Sequence, residues 1–146
     1  VMRPDFPLPD TEWPPTAPFW AAAAEGRLDL PRCDACGRLC WYPKETCSHC
    51  GGMSFSWASV DGRARLFSWA VVRFSFLPQF REKVPYLTGL VSLDEDPSVR
   101  LATELVDCKP EGLEFDQPME VVFRPLAFPG IDRRVPAPLW RPALRT

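Results

Sequence analysis

The sequence predicts a mainly β protein: one short N-terminal helix, a four-cysteine metal module, then a small antiparallel barrel, with proline-rich arms at both ends. Three observations predict this fold class. Two Cys-x-x-Cys pairs lie close together in the first third of the chain. Four short runs rich in β-branched and aromatic residues follow them, with turn signals and no helical period between the runs. Many of the eighteen prolines lie in the first 18 and the last 22 residues.

The N-terminal region, residues 1–30, is predicted to be an arm followed by a helix. Proline cannot donate a hydrogen bond to a helix or a sheet ladder, so residues 1–15 are expected to be extended. The segment TAPFWAAAAEG then indicates a helix over about 17–25, with Thr16 as N-cap and Gly26 as its stop. A short strand or lead-in, RLDLPR, leads into the cysteine module.

The cysteine module, residues 31–56, is predicted to hold one metal ion. Each Cys-x-x-Cys pair is followed by a glycine, as in a metal knuckle whose backbone turns back so that its amides face the sulfurs. Four thiolates in a closed tetrahedron favour structural zinc, with iron as the alternative. Disulfides would need an oxidising compartment, and two tandem pairs are not the thioredoxin pattern. The predicted ligands are Cys33, Cys36, Cys47 and Cys50.

The other two cysteines and the single histidine are not predicted to bind the metal. Cys40 lies in the loop between the pairs and Cys108 follows the third barrel strand, and each is expected to be a small buried apolar side chain. His49 lies between Cys47 and Cys50. We expect it to be solvated, and replacement of one cysteine ligand by its imidazole is the alternative.

The remainder of the chain predicts an OB-like barrel over residues 57–126 and a proline-rich C-terminal arm over 127–146. Four or five short strands without intervening helices favour a closed or half-closed antiparallel barrel. The predicted strands are residues 64–76, 86–93, 99–106 and 119–125.

Composition narrows the functional classes. The formal charge is −2 and the pI is near 5.4, which disfavours nucleic acid as a partner because bulk attraction to phosphate is missing. No stretch approaches the roughly 18 to 20 apolar residues of a membrane span, and no signal peptide is evident. We therefore expect a cytoplasmic protein without membrane association. The first residue is Val1, which fits a fragment of a longer polypeptide or a trimmed start.

No catalytic residue is predicted. With His49 inside a knuckle, no histidine remains for a nucleophile–base device. The eight glycines show no phosphate-loop or dinucleotide spacing. The expected role of the metal is therefore to close the fold.

Five side chains are candidates for contact with a partner or ligand. Phe6, Trp13 and Trp140 lie on proline-rich segments, which either lie back over the barrel or dock on a partner. Arg81 and Lys83 lie in a long loop between two predicted strands, FLPQFREKVPY, for which a simple solvated loop is the alternative.

The residues also resemble a known family. The segments that carry the resemblance run in order along residues 16 to 142. They are PFWAAAAEGRL, LPRCDACGRLCWYPKETCSHCGG, FSWASVDGRARLFSWAVV, LVDCKPEGL and PLWRP. Together they resemble an OB-fold family with a rubredoxin-like zinc ribbon, associated with acyl-CoA metabolism and long filed as a domain of unknown function. One departure is the single Pro43 where the family usually has a proline pair after the first knuckle.

The resemblance implies a non-catalytic subunit or domain that completes a thiolase-like or hydratase-like acyl-CoA enzyme. One type of complex in this family carries out aldol cleavage in bacterial sterol side-chain degradation. The partner would hold most of the CoA thioester substrate, and the resemblance leaves the particular acyl-CoA open. The family's zinc ligands correspond to the four cysteines already named.

Two other functions are weighed against this one. A single-stranded nucleic-acid-binding OB and zinc-ribbon module would need a basic groove with aromatic side chains, which Arg63, Arg65 and Arg73 near Phe67 and Trp69 are candidates to form. An enzyme in its own right would need acid–base groups beyond those identified.

Overall fold

The structure, a computed structural model, describes residues 3–144 of the chain. It contains one helix and seven strands, with 3₁₀ turns at Pro78–Phe80 and Pro110–Gly112. The elements are α1 (Ala17–Ala24), β1 (Leu28–Cys33), β2 (Phe55–Val60), β3 (Ala64–Val72), β4 (Tyr86–Leu93), β5 (Arg100–Leu105), β6 (Pro118–Leu126) and β7 (Val135–Pro142). The predicted fold class, mainly β with one helix, a four-cysteine cluster and a closed barrel, is confirmed.

Helix α1 confirms the predicted helix to within one residue. Thr16 occupies the N-cap position, although its side chain makes no capping hydrogen bond. The chain leaves the helix through Gly26, whose φ of +75° favours glycine. The helix buries Phe19 and two of its alanines against the rest of the chain.

Strands β1 and β2 form a separate two-stranded antiparallel sheet that carries the cysteine module. Their register runs from Leu28 opposite Val60 to Cys33 opposite Phe55. The sequence indicated β1 as a lead-in strand but did not predict β2. This sheet brings the two ends of the module together, so that both knuckles project from one end of a hairpin.

The barrel closes in the order β3-β4-β5-β7-β6. Neighbouring strands are antiparallel except β5 and β7, which are parallel and meet at a single register pair, Leu105 opposite Trp140. Closure between β3 and β6 is also short, at Ala64–Met119 and Arg65–Pro118. The barrel is therefore continuous along three long antiparallel ladders, β3–β4, β4–β5 and β6–β7, and is closed by two short ones.

The C-terminal segment corrects one expectation, because β7 lies within the predicted proline-rich arm over 127–146. Residues 135–142 pair with β6 along the whole strand. The positions of Pro136, Pro138 and Pro142 differ by two and by four, so their nitrogens face the same side of the strand. The neighbouring odd-numbered Ala143 donates its N–H to Pro118 O in β6, at 3.0 Å. The nitrogens of these three prolines thus face away from β6, so they remove no donor from the β6–β7 ladder.

One hydrophobic core joins the helix, the two-stranded sheet and the barrel. Leu28, Leu30 and Leu39 from the first half pack in the same cluster as Leu66 and Val91 from the barrel. Further members include Phe19, Leu93, Leu101, Leu105, Met119 and Trp140. The cysteine module is therefore attached to the barrel by shared apolar packing.

The N-terminal arm lies back on the molecule over residues 3–15. Leu8 is 1% exposed. Arg133, in the β6–β7 loop, donates hydrogen bonds to Asp5 at 2.7 Å and to Thr11 at 2.5 Å. Of the two arrangements weighed for this arm, the structure has the first. Within residues 3–144, no helix is long and apolar enough to cross a membrane.

Candidate metal centre and contact residues

The four predicted ligands converge at one point of the structure. The Sγ atoms of Cys33, Cys36, Cys47 and Cys50 all lie within 4.8 Å of one another. Two of the Sγ–Sγ distances are 3.6 Å, between Cys33 and Cys50, and 3.8 Å, between Cys36 and Cys47. A disulfide would require about 2.0 Å. Four sulfurs about 2.3 Å from a central zinc ion form a tetrahedron with edges of about 3.8 Å, so the observed spacing fits zinc.

The knuckle backbone confirms the role expected of the glycines. Gly37 and Gly51 have φ values of +76° and +77°. Each donates its N–H to the carbonyl of the first cysteine of its pair, at 2.8 Å. In the second knuckle, the N–H of His49 points to Cys47 Sγ and that of Gly52 to Cys50 Sγ, both at 3.4 Å. These amides place positive dipoles beside the sulfurs and favour thiolates.

The pKa values of the thiols differ within the cysteine module. The backbone amide of His49, helped by that of Cys50, lowers the pKa of Cys47 to about 6. Burial, with Cys47 beside it, raises the pKa of Cys40 to about 11. Cys47 therefore favours the thiolate and Cys40 the neutral thiol.

The Gly52 amide lowers the pKa of Cys50, but the hydrogen bond with Cys33, together with burial and the other neighbouring thiols, outweighs it and raises that pKa to about 12. The four ligands are therefore identified by the convergence of their sulfurs and not by their pKa values. The donor set of four thiolates fits zinc in a structural site without an open position.

The residues that were not expected to bind metal lie outside the cluster. Cys40 is buried with its Sγ 3.8 Å from Cys47 Sγ, and Cys108 is half-buried far along the chain on the barrel. His49 is exposed, and its backbone rather than its imidazole contacts the site.

The contact candidates separate into three environments. Trp13 is 54% exposed and Arg81 is exposed, whereas Phe6 is half-buried. Trp140, predicted on an exposed arm, is 1% exposed in the barrel core, where its Nε1–H donates to Gly62 O at 2.8 Å. That prediction is wrong, because residues 135–142 form a barrel strand.

Lys83 is engaged within the chain. Its ammonium lies 2.9 Å from Glu104 and 5.5 Å from the centre of the Tyr86 ring. These groups line a cavity of about 360 Å³ between α1 and the β3–β4 loop, with aromatic walls that include Trp20 and Phe80. Because Glu104 balances its charge, Lys83 offers less to an anionic ligand than the exposed Arg81.

The positive charges that the nucleic-acid alternative requires are also partly neutralised by nearby carboxylates. Arg63 lies 3.8 Å from Asp61, and Arg65 lies 3.8 Å from Asp94. Phe67 is covered on one face by Arg100, whose guanidinium carbon lies 3.9 Å from the ring centre. The arrangement resembles a set of local ion pairs more than an open basic groove.

Phe74 and Phe76 were not predicted to be exposed, although Phe76 also begins the predicted loop FLPQFREKVPY. The first barrel strand was predicted to extend to residue 76, but β3 ends at Val72. Phe74 and Phe76 therefore lie in the loop, 69% and 89% exposed. The alternation of large apolar residues continues past the strand end, so the sequence pattern alone gave no signal that pairing stops.

Comparison with known proteins matches both parts of the chain. The family described as "ChsH2, rubredoxin-like zinc ribbon domain" matches residues 20–56. The family described as "ChsH2, C-terminal OB-fold domain" matches residues 57–124.

Two curated relatives differ in how much of their length this chain spans. A probable enoyl-CoA hydratase alpha subunit of Thermomonospora curvata is 35% identical over 129 residues, which are 86% of this chain but 37% of that protein. A DUF35 domain-containing scaffold protein of Methanocaldococcus jannaschii is 28% identical over 102 residues, which are 69% of this chain and 70% of that one.

Among solved structures, a chain of "Ltp2-ChsH2(DUF35) aldolase" is 31% identical, with a TM-score of 0.74. The match covers 94% of this chain and 100% of that chain. A second structure, a DUF35 protein of Sulfolobus solfataricus, is 14% identical with a TM-score of 0.55 and shares the fold. With matching zinc-ribbon and OB-fold domains in the same order, the chain belongs to the DUF35 family, in its ChsH2 group.

Proposed function

We propose that this chain is a non-catalytic accessory domain or subunit that binds and completes a thiolase-like acyl-CoA enzyme. The observation that carries the proposal is the similarity along nearly the whole chain to the DUF35 component of an Ltp2-ChsH2 aldolase. The archaeal relatives, described as scaffold proteins, support the same kind of role.

The chemistry of the metal centre supports an accessory role. Four thiolates fill a tetrahedral site, so the ion would have no position for a substrate or a reactive water. The side chains that such an ion would fix belong to one hairpin, which packs into the common core. The expected contribution of zinc is therefore to hold a surface in shape.

The relatives also suggest which reaction the complex carries out. The aldolase relative suggests aldol cleavage of an acyl-CoA, as in bacterial steroid side-chain degradation, and the hydratase relative suggests assembly with a hydratase. In either complex the partner would hold most of the CoA thioester. The exposure of Arg81 on the β3–β4 loop supports a contact with the partner or its substrate.

Co-expression with thiolase-like enzymes from the same genome tests this function. One such enzyme should co-elute with this chain in size-exclusion chromatography, and the complex should convert its acyl-CoA substrate faster than the enzyme alone. The purified chain alone should show no steady-state turnover. Separate elution with every thiolase-like enzyme tested, or turnover by the chain alone, would contradict the proposal. Fluorescence anisotropy with a single-stranded thymidine oligonucleotide measures the nucleic-acid alternative in parallel.

A further inference from the structure

The loop between β3 and β4 begins with an exposed apolar cluster. Phe74 and Phe76 are 69% and 89% exposed, and Leu77 is 41% exposed. The two rings contact each other edge to face, with their centres 4.9 Å apart. We call these three residues the Phe knob. Large apolar side chains in a contiguous exposed group are typical of an interaction site, whereas single exposed ones are ordinary.

Local hydrogen bonds hold the Phe knob in one conformation. The Ser75 hydroxyl donates to Leu77 O at 2.7 Å and accepts from Leu77 N–H at 3.1 Å. The 3₁₀ turn that follows ends at Phe80, whose ring packs 5.2 Å from Phe128. A loop ordered before binding loses less conformational entropy when a partner docks, so the knob is well suited to be an anchor.

The size of the knob fits the centre of an interface rather than all of it. Aromatic side chains bury about 150 to 250 Å² each, so the two phenylalanines at their observed exposure offer about 300 Å². A standard interface buries about 800 Å² on each partner. Energetically dominant residues cluster near the centre and are surrounded by weaker contacts.

The charges beside the knob favour a different protein over a second copy of this chain. Arg73 and Arg81 flank it in sequence, are exposed, and make no ion pair with any residue between 3 and 144. Glu82 is the one acidic residue among them. A second copy docked through the same loop would bring the arginines of both chains together, which is unfavourable. A partner pocket with carboxylates at its rim would complement them.

We infer that the Phe knob, with Arg73 and Arg81, is the docking anchor for the enzyme partner. The matching surface on that enzyme is an apolar pocket with an acidic rim. This inference rests on the proposed function for the identity of the partner, and it assigns the contact to the β3–β4 loop rather than to the terminal arms.

Binding of the wild-type chain and two variants to the co-purified enzyme partner, by surface plasmon resonance, tests the inference. Phe76→Ala should weaken binding at least about 30-fold, as is typical of a central anchor. Phe115→Ala is the matched control, because Phe115 is 68% exposed and lies on a different loop, beside Phe67. The control should bind within a factor of about two of the wild type.

A charge variant tests the contribution of the acidic rim to binding separately from that of the apolar pocket. The double change Arg73→Glu and Arg81→Glu should slow association and reduce its dependence on salt, with a smaller effect on dissociation. Normal binding by Phe76→Ala would overturn the inference while leaving the proposed function intact. If the wild-type chain binds no thiolase-like enzyme, the proposed function itself fails. A dimer of the isolated chain that Phe76→Ala dissociates would assign the knob to self-association and overturn the inference as well.

Discussion

The cysteine module and the barrel are stabilised in different ways. Between β1 and β2, in residues 34–54, the only β-bridge is Leu39 with Arg32. Apart from Leu39, which packs into the barrel core, the buried residues of this segment are Cys40 and Cys47, which cluster with Cys33. The barrel has long ladders and a core of leucine, valine, methionine and tryptophan side chains. A short segment with little apolar side-chain volume thus relies on a metal ion for what the barrel obtains from packing.

The two regions are nevertheless joined. Leu28, Leu30 and Leu39 pack into the barrel's core cluster. Two ion pairs cross the same boundary, Arg32 with Glu95 and Arg38 with Asp96, each at 3.1 Å. We therefore expect metal binding and barrel packing to stabilise different regions that share one boundary, so that a change in one region should affect the other less.

The largest effect is expected from breaking the metal site. Cys47→Ala should abolish metal binding and unfold residues 33–52, since structural zinc contributes about 10 to 16 kcal/mol in small peptides. Elemental analysis should give about one zinc per chain in the wild type and none in the variant. Hydrogen exchange followed by mass spectrometry should show lost protection in the module and retained protection in β4 and β6. A variant that keeps zinc and native exchange would contradict the assignment.

Breaking the barrel core should come next. Trp140→Ala removes a fully buried ring and leaves Gly62 O without its donor, which should cost about 3 to 5 kcal/mol of the free energy of unfolding. Thermal unfolding should shift down by about 10 °C. The folded fraction should still bind one zinc ion. Trp13→Ala, at an exposed position, is the control and should change stability by less than about 0.5 kcal/mol.

A smaller effect should follow from replacing the buried thiol beside the site. Cys40→Ser should keep one zinc per chain but lower the free energy of unfolding by about 1 to 3 kcal/mol, because a hydroxyl replaces a buried apolar group. Cys108→Ser, at a half-buried position on the barrel, should also retain zinc and lose less stability. Loss of zinc from either variant would show that a different quartet binds the ion.

The smallest effect should come from the boundary between the two regions. Burial opposes ionisation of Asp96, but hydrogen bonds from Arg38 and Ser98 outweigh it and lower its pKa. Its contribution is therefore present above the unfolded pKa of about 3.9 and is lost as pH falls through the lower folded value.

Asp96→Asn should then cost less than about 1 kcal/mol at pH 7, as measured by urea unfolding. The difference from the wild type should shrink as the pH is lowered below about 4. Asp94→Asn, in the same turn but paired with Arg65 of β3 on the barrel surface, is the matched control. An equal effect of the two changes on protection of the cysteine module would argue against coupling across the boundary.

The parts of the fold that local patterns specify could be predicted from the sequence. The cysteine spacing identified all four converging sulfurs, because the knuckle is set by neighbouring residues and their glycines. Strand β4 was predicted with its observed bounds, since its alternation is regular and turns flank it.

The parts that depend on tertiary pairing could not be predicted in this way. Strand β7 was not predicted because its proline content suggested an extended arm. The two-residue and four-residue spacing of Pro136, Pro138 and Pro142 is nevertheless compatible with a strand that needs donors on one side only. The burial of Trp140 followed from that error. Exposure of Phe74 and Phe76 depends on where β4 stops pairing with β3. No residue type in the loop indicates that position.

The prolines of β7 also bear on aggregation. Where β5 and β7 meet at one register pair, the barrel has a short stretch of incompletely paired strand edge. Such an edge can template the addition of a foreign strand. Along β7, three of the backbone nitrogens that face that edge belong to Pro136, Pro138 and Pro142, which have no hydrogen to donate. An incoming strand would therefore find few donors along this part of β7, which disfavours intermolecular sheet growth at the β5–β7 seam.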